Sequence, residues 1–106
     1  MSRIDNILTM KIYLQKFGTI LISRQTGREA FAALQVQLSG LGPGEILELD
    51  FEGVITFSPS WGDEFLSPLV KKYRKKLALL NTKNPSVKAT LELLEKINQI
   101  PFNIIS

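Results

Sequence analysis

Two hydrophobic periods alternate along this chain, and their succession lays out the elements. Residues 7–15, Ile-Leu-Thr-Met-Lys-Ile-Tyr-Leu-Gln, are rich in strand formers with partial alternation and predict a strand. Lys16-Phe17-Gly18 supplies a turn, and Thr19 to Ser23 a second strand, so the chain is expected to open with an antiparallel hairpin. The period then lengthens. Thr26-Gly27-Arg28-Glu29 fits a capping box, with Phe31, Leu34, Val36 and Leu38 marking the buried side of the helix behind it. The glycines and proline of Ser39 to Gly44 end that helix. Glu45 to Phe51 alternates again as a core strand, Glu52-Gly53 permits a bend, and Val54 to Phe57 is a short apolar run.

Ser60 is expected to cap a second helix, with Asp63 in its first turn and Trp61, Phe65, Leu69 and Tyr73 at intervals of four on its apolar face. Pro68 leaves two readings open: one kinked helix from Ser60, or a second short helix capped by Ser67. Leu77 to Asn81 reads as a strand. Ser86 to Gln99 reads as a third helix with Val87, Leu91, Leu94 and Ile97 inward, and Phe102 to Ile105 as a final short strand. Strands and helices alternate from residue 19 onward. The pattern predicts an α/β layer of about five strands and three helices, mostly parallel after the opening hairpin.

At 106 residues the chain makes one domain, long enough to bury a core without disulfides or metals. It has no cysteine and no histidine, which removes thiolate chemistry, cysteine-based zinc sites and the commonest general base. No catalytic residue and no cofactor is expected. A net charge of +3 is too small to imply nucleic acid by itself. No apolar run is long enough to span a membrane, and Met1 to Asn6 lacks the apolar middle of a signal peptide, so a cytoplasmic protein is expected.

The order of elements is similar to that of STAS domains, the fold of anti-sigma-factor antagonists. Leu49-Asp50-Phe51-x-Gly53-Val54, Ser60-x-x-Asp63-Glu64-Phe65 and Leu21-Ile22-Ser23-Arg24 resemble the STAS-like domains of the DUF4325 group. The resemblance implies a single STAS-like domain over residues 1–106: a small mixed sheet with three helices, working as a non-catalytic regulatory module. In the antagonists the loop before the second helix carries Asp-Ser-Ser/Thr-Gly, whose serine is phosphorylated by a histidine-kinase-like ATPase that doubles as the anti-sigma factor. Pro59-Ser60-Trp61-Gly62 stands at that place here. Ser60 and Gly62 match, while Pro59 replaces the acidic residue and Trp61 the second hydroxyl. The resemblance therefore makes Ser60 the candidate phosphoacceptor and Ser58, Pro59, Ser60, Trp61, Gly62, Asp63 and Glu64 the candidate partner-binding junction. The implied partner is a histidine-kinase-like ATPase or an anti-sigma factor.

Each of these residues also has a plainer role. Ser60 serves equally as a helix cap, and Trp61 fits a core stripe as well as an interface anchor. Asp50, Glu52, Asp63 and Glu64 are the carboxylates available for Mg²⁺, but their spacing is not diagnostic and no metal is assigned. Lys71-Lys72-Tyr73-Arg74-Lys75-Lys76 offers five cations in six residues to a nucleic-acid backbone, the alternative function, or simply to the negative end of a helix dipole. The Gly40 to Gly44 loop follows a helix and lacks the Gly-Lys-Ser/Thr ending, so it reads as a connector.

Overall fold

A computed structural model describes residues 9–105. The first two positions of the opening strand, residues 7 and 8, and the Met1 to Asn6 segment lie outside them. Among the described residues the fold is α/β with three helices, as the periodicity predicts. The order is β1 (Thr9–Tyr13), a 3-10 turn (Leu14–Phe17), β2 (Ile20–Leu21), α1 (Arg24–Leu38), β3 (Ile46–Asp50), β4 (Thr56–Phe57) and α2 (Pro59–Tyr73). A second 3-10 turn (Arg74–Lys76), β5 (Leu77–Leu80), α3 (Pro85–Asn98) and β6 (Asn103–Ile104) follow.

The opening hairpin is not formed. β1 pairs with β3 and β2 with β4, both in parallel, and the main sheet has the order β1-β3-β5-β6 with every pairing parallel. The reason lies in residues 14–19. A reversing turn would leave Lys16-Phe17-Gly18 at a tip, but Leu14 is fully buried and the Phe17 ring packs edge-on to Phe65 with centroids 5.4 Å apart. The ladder between β1 and β3 stops at Tyr13 and Asp50 and a second begins at Ile20 and Thr56. Both chains are thus interrupted, and the interruptions touch. Gly53 sits at φ +84, a backbone conformation that favours glycine, with the end of the Gln15 side chain lying over it.

Each crossover, β1 to β3 to β5 to β6, steps in the same direction across the sheet. The right-handed rule then puts all three helices on one face. α2 lies in the middle and packs against both α1 and α3. Leu47 and Leu49 of β3, with Ile12 and Leu79 beside them in register, point into this layer and are buried. Lys11, Tyr13 and Glu48 alternate to the other face.

The helix starts differ from those predicted. Ser23, not Thr26, caps α1: its hydroxyl accepts from the Thr26 amide at 3.1 Å. Ser58, not Ser60, caps α2, and Asn84 caps α3. In the last two a proline follows the cap directly, at the first helical position where its missing amide costs nothing. Val36 and Ile97 are exposed rather than inward. At 100° per residue the buried stripe of α1 runs Gly27, Ala30, Leu34, Leu38 and leaves Val36 on the far side. α2 is one helix through Pro68. Ser67 caps nothing; its hydroxyl donates to Asp63 at 3.0 Å and accepts from the Asn98 side chain at 2.9 Å, tying α2 to α3.

Candidate functional site

The strand-to-helix junction predicted as the working surface is built by two serines with different duties. Ser58 is extended at φ −91, ψ 157; its hydroxyl accepts from the Trp61 amide at 3.1 Å and donates to the Ile22 carbonyl at 2.5 Å. It therefore closes the start of α2 and pins β2 to β4 together. Ser60 occupies the second position of the helix, half-exposed, and its hydroxyl makes no hydrogen bond among the described residues. Ser58→Ala is expected to cost about 1–2 kcal/mol, the value of a cap, while Ser60→Ala stays within about 0.5 kcal/mol of wild type in urea unfolding.

Trp61 belongs to the core. It is 1% exposed and sits inside a run of rings: Phe65 at 4.8 Å, Phe57 at 5.9 Å and Phe17 at 6.2 Å between centroids. Gly62 is buried against Leu94 and Phe57. Neither residue presents a surface to a partner. What the junction does offer is exposed Pro59 and half-exposed Ser58, Ser60, Asp63 and Glu64.

The two carboxylates are held by α1. One Arg24 nitrogen, Nη1, donates to Asp63 at 3.0 Å and to Glu64 at 2.7 Å, and Arg28 Nε reaches Glu64 at 3.4 Å. Hydrogen bonding from Arg24, opposed by partial desolvation, holds both carboxyls below their ordinary range. The same two bonds raise the guanidinium. These are open ion pairs, so their main effect is to fix the geometry between the starts of the two helices.

Sequence reasoning did not point to the apolar rim beside this corner. Ile20, Ile22 and Ile55 are 59%, 51% and 60% exposed. Ile20 faces Thr56 in the β2–β4 register, the Ile55 amide donates to the Thr19 carbonyl at 2.8 Å, and Ser58 holds the Ile22 carbonyl, so the three flank one short ribbon. The signal was present: Ile22 and Ile55 stand outside the inward set Leu21, Val54 and Phe57. Reading residues 19–23 as half of a hairpin assigned those side chains to the wrong partners.

Asp50, at the end of β3, is a buried carboxylate with every partner it needs. It accepts from the Asn81 side chain and from the Glu52 amide, each at 2.8 Å, and pairs with Lys11 at 3.4 Å. Desolvation works to raise its pKa, but the bonds from Asn81, Glu52 and Lys11 outweigh it and the net shift is downward. A carboxyl depressed in the fold adds stability that is complete above its ordinary value of 3.8 and is lost as pH falls through its folded value. Urea unfolding at pH 7 and pH 3 is expected to show a smaller loss of stability for Asp50→Asn than for wild type. Among the described residues no three acidic side chains gather where they would hold a metal ion. Asp50 with Glu52 and Asp63 with Glu64 form separate pairs, each engaged as described or turned outward.

At the opposite end of the sheet Lys71 and Lys72 lie in the last turn of α2 and Arg74, Lys75 and Lys76 in the 3-10 turn after it. All five are exposed, and none forms an ion pair among the described residues. No helix among the described residues is long and apolar enough to cross a membrane. The chain matches no protein-family model, no curated protein and no solved structure.

Proposed function

We propose that this chain is a non-catalytic, cytoplasmic regulatory domain that docks a protein partner on the rim formed by β2, β4 and the start of α2. The observation that carries this is the exposure of Ile20, Ile22 and Ile55 on one ribbon, continued by Pro59 and the Ser60 hydroxyl. An apolar group of this kind bordered by charges is characteristic of interaction surfaces, where scattered single residues are not. The charges are Arg24, Arg28, Asp63 and Glu64. The STAS-like resemblance of the strand-to-helix sequence supports the same corner and suggests the partner class, a histidine-kinase-like ATPase or an anti-sigma factor.

Ser60 is the proposed switch. Its hydroxyl is unused and half-exposed, at the end of α2 where backbone amides favour anions. A phosphate there adds about −1.5 to −2 charges one turn from Asp63 and Glu64 and competes with them for Arg24. The corner then changes sign without any disturbance to the Ser58 cap. Calorimetric titration with a candidate ATPase tests the reading. Ile20→Asp/Ile55→Asp is expected to weaken binding at least about tenfold, and Ser60→Asp to change it without altering stability. Undiminished binding by the isoleucine variant contradicts the proposal.

A second reading, docking on nucleic acid through Lys71 to Lys76, is favoured by the lack of ion pairs on those five cations. It requires affinity that falls steeply with salt and is lost in Lys72→Glu/Lys75→Glu, while the isoleucine variant binds normally.

A further inference from the structure

α2 and α3 both end at the edge of the sheet remote from Ser60. α3 stops at Asn98 with Gln99 in the ordinary left-handed conformation of a helix C-terminus, φ 56, ψ 36. α2 stops at Arg74, which lies at φ 51, ψ −118. That region belongs to glycine, and an arginine held there is strained by roughly 1–3 kcal/mol. The arginine side chain forms no ion pair among the described residues to offset this.

Beside it opens a cavity of about 430 Å³ lined by Arg74, Lys75, Ile100, Pro101, Phe102 and Asn103. This volume falls within the range of small-molecule sites. Ile100 and Phe102 are nearly buried and form an apolar floor, and the Asn103 side chain donates to the Lys75 carbonyl at 3.3 Å, joining the two walls. No carboxylate lines the cavity. Behind the floor the Glu95 carboxylate accepts from the Phe102 amide at 2.8 Å, and together with two helix C-termini of about −0.5 charge each it offsets most of the charge of Arg74 and Lys75. So little net positive charge suits a monoanion better than a phosphate dianion, and the planar guanidinium fork of Arg74, which forms no ion pair among the described residues, suits a carboxylate.

We infer that this cavity binds a small amphipathic carboxylate, its apolar body on Ile100 and Phe102 and its carboxylate on Arg74. The strained backbone at Arg74 serves to hold the guanidinium at the mouth. This site is separate from the proposed docking rim and does not depend on it.

NMR titration of the whole chain with 4-phenylbutyrate, against the neutral 4-phenylbutanamide, tests the inference. The acid is expected to give saturable shifts at the Ile100 methyls and the Phe102 ring with a Kd near or below about 1 mM, and the amide to bind at least about tenfold more weakly. Arg74→Gly is expected to melt no lower than wild type, because glycine relieves the strain, yet to lose about tenfold or more in affinity for the acid. Arg74→Lys keeps the charge without the fork and falls between. The inference is overturned by any of three results: equal binding of acid and amide, no saturable shift at Ile100 and Phe102, or an Arg74→Gly chain that melts lower or binds the acid as wild type does.

Discussion

Gly27→Ala is expected to destabilise the chain by about 3 kcal/mol and lower Tm by roughly 15 °C, an unusual result for a glycine-to-alanine change inside a helix. Alanine is ordinarily the better helix former by about 1 kcal/mol, so propensity alone predicts the opposite sign. The difference comes from α2. A Cβ on Gly27 would lie 2.6 Å from the Trp61 carbonyl oxygen and 3.0 Å from its Cα, and backbone, unlike a side chain, has no rotamer into which to retreat. The two helices must part, and the layer over the sheet parts with them. Gly62→Ala is the internal control. Its added Cβ would meet the Leu94 Cδ1 at 2.7 Å and the Phe57 ring at 3.0 Å, both side-chain atoms that move at smaller cost, about 1 kcal/mol. Thermal and urea unfolding of the two variants should rank them in that order.

Trp61→Ala is expected to cost about 4 kcal/mol, with Trp61→Phe recovering part of it. The indole bridges elements that no hydrogen-bonded ladder joins. It meets Phe65 on its own helix, Phe57 of β4 and Phe17 of the first 3-10 turn. Removing it leaves a void where the turn after β1, the second ribbon and α2 converge. An exposed interface anchor would behave otherwise, costing within about 0.5 kcal/mol in stability and appearing only in binding. Chemical unfolding of the isolated chain separates the two roles without any partner.

The sequence reading succeeded where one period dominated and the partner of each face was forced. The alternation in Leu47-Glu48-Leu49 fixes which side of β3 is core, and Leu91 with Leu94 fixes the inward side of α3. It failed where pairing is non-local. Nothing within residues 7–23 shows that β1 and β2 find their partners in β3 and β4, far along the chain, instead of in each other. The caps were misplaced because hydroxyls stand at several adjacent positions, and Pro59 and Pro85 were the discriminating marks. Nothing in the sequence marks Gly27 and Gly62 as points of close approach, since such contacts leave no trace in a hydrophobic pattern.

The same limits shaped the candidate site. The corner at Ser58 to Glu64 was legible from capping chemistry, and Arg24 was already present in the quoted Leu21-Ile22-Ser23-Arg24 stretch. Its bonds to Asp63 and Glu64 were not legible, because they join α1 to α2 across 39 and 40 positions. The exposed isoleucines became meaningful only once β2 was seen to lie against β4. With Trp61 and Gly62 withdrawn into the core, the proposed docking surface lies less on the helix start than on that ribbon.

Methyl and amide NMR mapping of the chain with a histidine-kinase-like ATPase bound is the most direct test of the docking rim. The account predicts that the Ile20, Ile22 and Ile55 methyls and the Ser60 amide shift, while the Ile100 methyls and the Lys71 to Lys76 amides stay where they are in the free chain. Shifts concentrated at Lys71 to Lys76, with the three isoleucines unmoved, would contradict it.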